Sequence, residues 1–346
     1  DTCKEFDIGG NPLQEPPIEI AEESLEAVKR YFEELDRDSA ISTQTVSESD
    51  ATKGTVQFGK EWKLLDMKLK APRSNHSVVV VGSGEIIVLG GWDGDSQLAS
   101  AELLNLDTGE RTDLPDMREA RDSGAVVAVG RKIYVFGGTR ANSSTAAGNE
   151  CLDLDDAHAR WEPLPKIHGA QEYRCGGGAA AVTVGTKIVL CGGYRNGKCS
   201  KSAHLFDTES NQWTELDDMS NERSYHSVVR LQSFVVVVGG QDQSRQPLLS
   251  AEVLDTETRK WVRSIHTSTD LPGIHWFQVG VALGPNRFVF GRYGLDSIEP
   301  SSVAVYNQGT RPQTMIPLMK TPRENAAAAL VGSRLVVVGG YDGNKS

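Results

Sequence analysis

The chain has 346 residues, of which 38% are hydrophobic, and a formal net charge of −11 at pH 7. No apolar run approaches the roughly 18 residues of a membrane-spanning helix, so the sequence predicts no membrane insertion. Residues 1–54 carry 14 acidic and 5 basic side chains, whereas the remainder carries 33 and 31. Because this remainder is nearly neutral, we do not expect nucleic-acid binding through a phosphate-neutralising surface.

Residues 1–53 are interpreted as an acidic amino-terminal extension that contains a helix at about 18–37 and a flexible linker at 39–53. Four apolar residues at steps of 3, 4 and 3 define the contact face of this amphipathic helix: Leu25, Val28, Phe32 and Leu35. Three interpretations stay open. The helix docks on the rest of its own chain, it lies in a groove of a partner as a second contact, or the segment is disordered.

The rest of the chain repeats a short aliphatic or aromatic run that ends in two glycines. The pairs begin at Gly90, Gly137, Gly192, Gly239 and Gly339, and a degenerate copy occurs at Gly291. From one copy to the next, the first glycines are 47, 55, 47, 52 and 48 residues apart. A period near fifty with a β run in each unit predicts an array of four-stranded units.

Each unit has the same internal order. An apolar run such as 77–81 leads through a two- or three-residue turn into the Gly-Gly strand, which is hairpin spacing. A polar loop, a third strand and an Asp-Thr turn follow. A tryptophan marks the fourth strand in three units: Trp161, Trp213 and Trp261. An arginine near the start of the next unit completes the pattern: Arg121, Arg174, Arg223 and Arg323.

This order of glycine pair, tryptophan and arginine resembles the kelch repeat, over residues 54–346. The resemblance implies an all-β, six-bladed kelch-type β-propeller of four-stranded blades, preceded by a short amino-terminal helical extension. It also implies that the second strand lies close to the axis. The sharp turn at the end of that strand, where side chains crowd, favours glycine.

The last blade is incomplete at the carboxyl end of the sequence. It begins at Asn325, and the sequence stops at Ser346, before a third strand. Residues 54–67 are expected to supply the two missing strands, with Trp62 in the position of Trp213. Such a two-plus-two closure would leave no open sheet edge. If the natural chain continues past Ser346, a seventh blade or a different closure stays open. The expected domains are therefore the extension at 1–53 and the propeller at 54–346.

In an antiparallel blade, the loops after the second strand and the connections between blades emerge on one face, where recognition groups usually lie. Arginine, tyrosine and tryptophan on this face have the composition of protein-binding hot spots. The expected partner-binding residues are Arg73, His76, Trp92, Arg140, Arg174, Tyr194, Arg195, Arg223, Tyr225, Arg245, Trp276, Arg323 and Tyr341.

Two interpretations of the arginines remain open. In kelch propellers that recruit substrates to ubiquitin ligases, similar positions hold an acidic peptide. By that resemblance five arginines could do so here: Arg73, Arg195, Arg223, Arg245 and Arg323. Alternatively, an arginine that opens a first strand ties neighbouring blades together by pairing with a carboxylate or a carbonyl. A surface role is favoured for three arginines on longer loops: Arg140, Arg195 and Arg245.

Some kelch propellers are enzymes, so a small-molecule enzyme with its site at the axis is the alternative function. A metal site would need ligands that converge at the axis, and the candidates are His76, His226 and His275. The first two recur in the same Arg-Ser-x-His-Ser pattern, which favours a structural role. We therefore expect a non-enzymatic scaffold or adaptor with no metal and no cofactor, whose partners are proteins, alone or within a large assembly.

The five cysteines show no CxxC pair, which favours a reduced intracellular protein located in the cytoplasm. Asn-x-Ser triplets at Asn75, Asn142 and Asn344 keep secretion open. The sequence starts at Asp1 without a methionine, so a removed targeting peptide also stays open.

Overall fold

The structure is a computed structural model that describes residues 65, 67–140, 148–167, 177–195, 198–248, 250–266, 276–284, 287–293, 303–307, 314–316, 325–332 and 334–340. The predicted helix at 18–37, the linker and residues 54–64 lie outside these ranges. Within them the secondary structure is entirely β, with no helix. The all-β prediction is therefore confirmed for the part of the chain that is described.

The first three sheets have four strands each, numbered here in chain order. Sheet 1 contains β1 (Ser77–Gly82), β2 (Glu85–Leu89), β3 (Ala101–Asn105) and β4 (Arg111–Leu114). Sheet 2 contains β5 (Ala125–Val129), β6 (Lys132–Phe136), β7 (Glu150–Asp153) and β8 (Glu162–Pro163). Sheet 3 contains β9 (Ala180–Val184), β10 (Lys187–Cys191), β13 (Ala203–Asp207) and β14 (Gln212–Leu216). A small hairpin lies between β10 and β13 in the chain, formed by β11 (Tyr194–Arg195) and β12 (Lys198–Cys199).

The remaining sheets continue the pattern. Sheet 4 contains β15 (Ser227–Leu231), β16 (Phe234–Val238), β17 (Ser250–Asp255) and β18 (Trp261–His266). Sheet 5 contains β19 (Trp276–Gly284), β20 (Arg287–Tyr293), β21 (Val303–Asn307) and β22 (Thr314–Ile316). Sheet 6 has two described strands, β23 (Ala327–Val331) and β24 (Arg334–Val338). Neighbouring strands pair antiparallel in every sheet, as the hairpin spacing predicts.

The sheets meet through their first strands. Strand β1 contacts β5, β5 contacts β9, β9 contacts β15, β15 contacts β19, β19 contacts β23, and β23 contacts β1. The series of contacts thus returns to its starting point. The first strand is the edge strand of each sheet and faces the corresponding strands of its neighbours, and the second strand, which was expected close to the axis, lies directly next to it.

The hydrophobic core is divided among the junctions between sheets, as expected for stacked units. The second strands are its most buried part, and Ile86, Ile87 and Val88 have no exposed surface. Successive residues of a strand point to opposite faces, so this continuous apolar run supplies side chains to the junctions on both sides. By contrast, the first three residues of β4 are exposed. The outermost strand of sheet 1 therefore faces solvent.

The glycine pair is required by the backbone conformation and by close packing. Gly90 and Gly91 have φ of 64° and 98°, a region that residues with a side chain rarely adopt. A Cβ on Gly90 would lie 2.6 Å from the carbonyl oxygen of Arg121, and one on Gly91 would lie 2.7 Å from that of Ser74. The expectation that the missing Cβ atoms matter at this turn is confirmed.

The repeated tryptophans connect each sheet to the preceding one. Their indole Nε1 groups donate hydrogen bonds to main-chain carbonyls just after the previous fourth strand: Trp161 to Pro115 at 2.8 Å, Trp213 to Pro165 at 2.9 Å and Trp261 to Asp217 at 2.7 Å. The recurrence of the tryptophan therefore reflects one repeated contact between sheets.

Candidate interaction surface

The arginine that opens each unit is a buried structural group where it is described. Arg73 has no exposed surface, and its guanidinium donates to the carbonyl of Gly90 at 3.0 Å and to Oε1 of Glu102 at 2.6 Å. Burial lowers the pKa of Arg73, and the nearby carboxylate of Glu102 opposes that shift. The arginine therefore connects the turn after β2 to strand β3 within its own sheet.

The same arrangement recurs in two other sheets. Arg121 pairs with the carbonyl of Gly137 and with Glu150, and Arg223 pairs with Gly239 and Glu252. The three glutamates were not among the residues predicted from the sequence. The signal was present, because in each case the carboxylate follows its arginine by 29 residues.

These contacts correct the expected roles of Arg73 and Arg223. Both side chains are fully buried, so they are not available to a partner. Of the two interpretations, pairing with a carboxylate and a carbonyl is the one observed, but the side chain bonds within one sheet. The link to the neighbouring sheet is made by the main chain, since the amide of Gly91 donates to the carbonyl of Arg121 at 2.9 Å.

In sheet 3 the sequence has other residue types at the two corresponding positions, and Arg174 lies outside the described residues. The bridge between Gly177 and Tyr194 corresponds to the bridge between Ser74 and Trp92, so position 176, a glycine, is the counterpart of Arg73. The counterpart of Glu102 is His204, which is buried and whose pKa burial lowers to about 4. The arginine and the carboxylate are replaced together, as expected when either charge alone would be costly to bury.

His76 and His226 are also buried, at 7% and 5% exposure, and are not available as partner-binding groups. Each ring lies at a junction, against the first glycine of the preceding sheet: Gly339 for His76 and Gly192 for His226. Burial and the adjacent arginine lower both pKa values to about 3, so the rings are neutral at pH 7. The described residues contain no cluster of three or more potential metal ligands, and His275 lies outside them.

A chain of main-chain hydrogen bonds connects the starts of successive sheets. It runs from the amide of Tyr225 to the carbonyl of Gly178, from Gly178 to Ser123, from Ser123 to Asn75, and from Asn75 to Asn325, over 2.6 to 3.0 Å. All five residues have positive φ, between 53° and 71°. These bonds hold the connections between sheets rigidly at the end of the molecule where the loops after the second strands emerge.

Tyr225 reaches across the neighbouring sheet at this end. A Cβ on Gly178 would lie 2.9 Å from the Tyr225 ring, and a Cβ on Gly177 would lie 3.7 Å from its hydroxyl. Burial raises the pKa of Tyr225, and the charge of Asp122 raises it further. The phenol is therefore a neutral, half-buried group, and it requires glycine in the segment beneath it.

The loops of sheets 3 and 4 form one continuous surface. The amide of Cys199 donates to Oε1 of Gln243 at 2.6 Å, which joins the β11–β12 hairpin to residues 241–247. Lys198 and Arg245 are exposed on this surface, and neither cation forms an ion pair with a described residue. Asp242 accepts hydrogen bonds from two amides of its own loop, so its carboxylate fixes the loop conformation.

Two further expected residues, Arg140 and Trp92, lie partly exposed on the same end. Arg140 pairs with Glu119 at 3.0 Å, and Glu119 also accepts a hydrogen bond from the amide of Gly148. Trp92 forms a two-hydrogen-bond bridge with the main chain of Ser74. Arg140 thus takes part in the structure of its loop while keeping about a third of its side chain exposed.

Several expected site residues are not tested by the structure. Tyr194 is half-buried in β11, while Arg195 and Trp276 are described by their main chain alone. Three members of the expected surface lie outside the described residues: Arg174, Arg323 and Tyr341. So do the four residues of the predicted helix face: Leu25, Val28, Phe32 and Leu35.

Comparison with known families agrees with the repeat and with the sheets. The family model for the KLHDC2/KLHL20/DRC7 Kelch-repeats domain matches residues 55–240, just over half of the chain, and the Kelch motif model matches residues 222–263. The chain belongs to the kelch-repeat family. Its four-stranded antiparallel sheets are therefore blades of a kelch β-propeller.

Curated kelch relatives cover different parts of the chain. Kelch-like protein terF of Aspergillus terreus is 26% identical over 78% of this chain and 61% of its own length. Kelch-like protein 25 of Xenopus tropicalis is 32% identical over 38% of this chain and 21% of its own. Acyl-CoA-binding domain-containing protein 4 of Arabidopsis thaliana is 22% identical over 97% of this chain and 53% of its own. The kelch chain thus spans less than two thirds of the length of these relatives.

Among the described residues of this kelch chain, no helix is long and apolar enough to cross a membrane.

Proposed function

We propose that this kelch propeller is a non-enzymatic scaffold or adaptor that binds a segment of a partner protein on its loop-rich face. The observation that supports this most directly is the joined surface of the β11–β12 hairpin and residues 241–247. There, Lys198 and Arg245 are exposed on loops that are held together by the hydrogen bond between Cys199 and Gln243.

This surface is rigid, and two of its exposed cations, Lys198 and Arg245, form no ion pair with a described residue. Residues 241–247 are fixed by Asp242 and by the contact with the hairpin, so a partner that binds there pays little conformational entropy in this protein. A cation without an internal ion pair can bind a carboxylate or a carbonyl of the partner. Arg195, in the same hairpin, and Tyr194 beside it are proposed to extend this surface.

The propeller is proposed to have six blades, the sixth completed by residues 54–67. Met67 and Leu69 pack against the cluster between sheets 6 and 1, which includes Val331. Met117 and Met219 occupy the corresponding place at two other junctions, after the fourth strands of sheets 1 and 3. Met67 therefore behaves like a residue that follows the fourth strand of blade 6.

A contact on the opposite face also supports closure between blades 6 and 1. Nη2 of Arg334, in the hairpin of sheet 6, lies 2.6 Å from Oδ1 of Asp107, in the turn between β3 and β4. Another hairpin arginine, Arg131 of sheet 2, also pairs with a carboxylate of sheet 1, Glu85, at 3.0 Å. The acidic segment 1–53, with its predicted helix at 18–37, is proposed as a second contact within a larger assembly, and a cytoplasmic location stays part of this proposal.

The test is affinity purification from the native source, followed by mass spectrometry. The full chain would be compared with a chain lacking residues 1–53, and with the double variant Lys198→Ala/Arg245→Ala. We expect a protein partner that the double variant loses by at least tenfold. The matched control is Arg259→Ala, because Arg259 is an exposed arginine with the same φ of 61° as Arg245, but lies in the turn between β17 and β18.

The comparison of variants separates the proposals. Loss of the partner in Lys198→Ala/Arg245→Ala but not in Arg259→Ala would support the loop-rich face. Loss in the chain lacking residues 1–53 alone would move the contact to the extension. Equal recovery with all variants would refute both contacts.

A further inference from the structure

The connection that opens sheet 2 differs from its counterparts in sheets 1 and 4 by a carboxylate. The bridge between Asp122 and Thr139 corresponds to the bridges that Ser74 and Ser224 form in those sheets. Both serines are buried, at 5% and 0% exposure, whereas Asp122 is partly exposed. Since serine is compatible with the same bridge in two sheets, the bridge itself does not require a negative charge at position 122.

The carboxylate of Asp122 is fixed in place by two neutral groups. Nε2 of Gln97 donates to its Oδ2 at 3.0 Å, and the hydroxyl of Ser123 donates to its Oδ1 at 2.8 Å. No described cation forms an ion pair with Asp122. Because each oxygen of an ionised carboxylate can accept more than one hydrogen bond, both oxygens keep the capacity to bind a further donor.

Three hydroxyl groups of sheets 2 and 4 lie around Gly177, at the start of sheet 3. A Cβ on Gly177 would overlap Oγ1 of Thr139. It would lie 3.6 Å from Cβ of Ser123 and 3.7 Å from the hydroxyl of Tyr225. Residues that face each other in an antiparallel pair point to the same side, so the side chains of Asp122 and Thr139 are neighbours. The hydroxyls therefore surround the space beside the carboxylate.

The carboxylate also determines the sign of the electrostatic field at this place. Burial raises the pKa of Tyr225, the charge of Asp122 raises it further, and Arg245 has a smaller effect in the opposite direction. Arg140, which follows Thr139 in the chain, is engaged by Glu119 at 3.0 Å. The field at the phenol is thus negative, although exposed cations lie on the neighbouring loops.

A basic side chain matches this arrangement better than other guests. Lysine and arginine each supply several N–H donors together with a positive charge, and hydrogen bonds between ionised groups are stronger than neutral ones. The carboxylate is already held, so binding costs it little conformational entropy. A divalent metal ion is a poorer match, because the described residues contain no cluster of three or more metal ligands. An anionic group would be repelled by Asp122.

We propose that Asp122, with the hydroxyls of Ser123, Thr139 and Tyr225 around it, receives a lysine or arginine side chain of the bound partner segment. The inference rests on the proposed function, and it adds the chemistry of the segment: a basic residue that is seated next to the cationic surface of sheets 3 and 4. The two surfaces together would then select a partner that carries both signs of charge.

The experiment is a titration of the full chain with the peptide acetyl-Gly-Lys-Gly-amide, followed by NMR. The protein carries ¹³C-labelled tyrosine rings, and the Tyr225 signal is assigned with Tyr225→Phe. We expect a saturable shift of the Tyr225 signal. The control peptide has norleucine in place of lysine, which keeps the apolar stem and lacks the ammonium group, and it should give no saturable shift. The corresponding arginine peptide measures which cation is preferred.

Variants of Asp122 test whether the carboxylate carries the binding. Asp122→Asn keeps the shape and removes the charge, so it should weaken the binding of the lysine peptide about tenfold or more. Asp122→Ser should show the same loss, and it copies the residue type that sheets 1 and 4 have at this position. The matched control is Asp116→Asn, which removes an exposed carboxylate from the connection between β4 and β5 and should leave binding unchanged.

The outcomes separate this inference from the proposed function. Equal shifts with the norleucine peptide, unchanged binding in both Asp122 variants, or an equal loss in Asp116→Asn would overturn the inference. A native partner that is lost in Lys198→Ala/Arg245→Ala, together with a negative peptide titration, would refute the inference alone. Saturable binding of the lysine peptide, together with equal recovery of partners by all variants, would refute the proposed partner surface alone.

Discussion

Oε1 of Glu102 accepts a 2.6 Å hydrogen bond from Nη2 of Arg73, and both side chains are completely buried. Because the pair is closed to solvent, water cannot replace a partner that a substitution removes. The guanidinium also donates to the carbonyl of Gly90, so the ion pair fixes the turn that ends β2. The stability of the blade should therefore depend on the presence of both charges together.

The first prediction concerns this pair. Glu102→Ala should lower the free energy of unfolding by about 3–5 kcal/mol, because it leaves the Arg73 cation buried without a carboxylate. The double variant Arg73→Gly/Glu102→His, which copies the residue types of sheet 3, should lose less than Glu102→Ala alone. Denaturant unfolding of the single and double variants measures the coupling.

The exposed pair between Lys70 and Asp113 is the control for that experiment. Its side chains are at least half exposed, so Asp113→Ala should change the free energy of unfolding far less than Glu102→Ala does. A loss of similar size for Asp113→Ala and Glu102→Ala would contradict the argument from burial.

The second prediction separates backbone strain from steric overlap at glycine. Gly91 and Gly109 both have positive φ, 98° and 77°, but a Cβ on Gly91 would lie 2.7 Å from the main chain of Ser74, whereas one on Gly109 would meet nothing within 4 Å. Gly109→Ala should cost about 1–2 kcal/mol from the backbone conformation alone. Gly91→Ala should cost clearly more, as measured by thermal unfolding.

Gly124→Ala is the third member of that series, and its expected effect on the free energy of unfolding has the opposite sign. Its Cβ has room and its φ is ordinary, so the substitution should be neutral or should stabilise the protein by roughly 0.4–1 kcal/mol through the unfolded state. The three alanine variants should rank Gly124, Gly109, Gly91 from most to least stable, and any other order would refute the steric account.

The third prediction concerns acid stability. The pKa of His226 falls from 6.5 in the unfolded chain to about 3 in the folded protein, because of burial and the charge of Arg223. The unfolded state binds the proton more readily, so the stability is complete above pH 6.5 and is lost as the pH falls towards 3. At pH 5 the loss should be on the order of 2 kcal/mol for this histidine.

His226→Gln tests the origin of that loss. The variant should show a flatter decrease of the melting temperature between pH 7 and pH 5 than the unsubstituted protein. His76 has the same shift, to a pKa of about 3, and His76→Gln should give the same result. An unchanged pH profile in both His226→Gln and His76→Gln would exclude these rings as the cause.

The fourth prediction concerns thiol reactivity. Burial raises the pKa of Cys191 to about 12, and it also raises those of Cys151 and Cys199. The reactive thiolate is therefore scarce at neutral pH, and access is closed. In a Cys3→Ser/Cys175→Ser background, iodoacetamide at pH 7.5 should label these three cysteines only after unfolding. Native labelling of Cys191 at the rate of a free thiol would contradict its burial.

The sequence by itself determined the repeat, the strands and the family. Periodicity, turn residues and the glycine pair report local backbone preferences, and each local preference is repeated about every fifty residues. Five of the units therefore predicted the same hairpin independently. Trp213 and Trp261 were correctly predicted to lie in fourth strands. The alternation of side chains does not reveal which edge of a sheet faces its neighbours, so the contacts between first strands came only from the structure.

Only the tertiary structure decided which arginines are available to a partner. Arg73 and Arg245 are the same residue type and were both predicted to bind a partner. In the structure, Arg73 is buried and pairs with a carboxylate 29 residues away, whereas Arg245 is exposed on a loop. Burial and charge pairing depend on groups that folding brings together from distant parts of the chain, and local sequence patterns do not contain those distances.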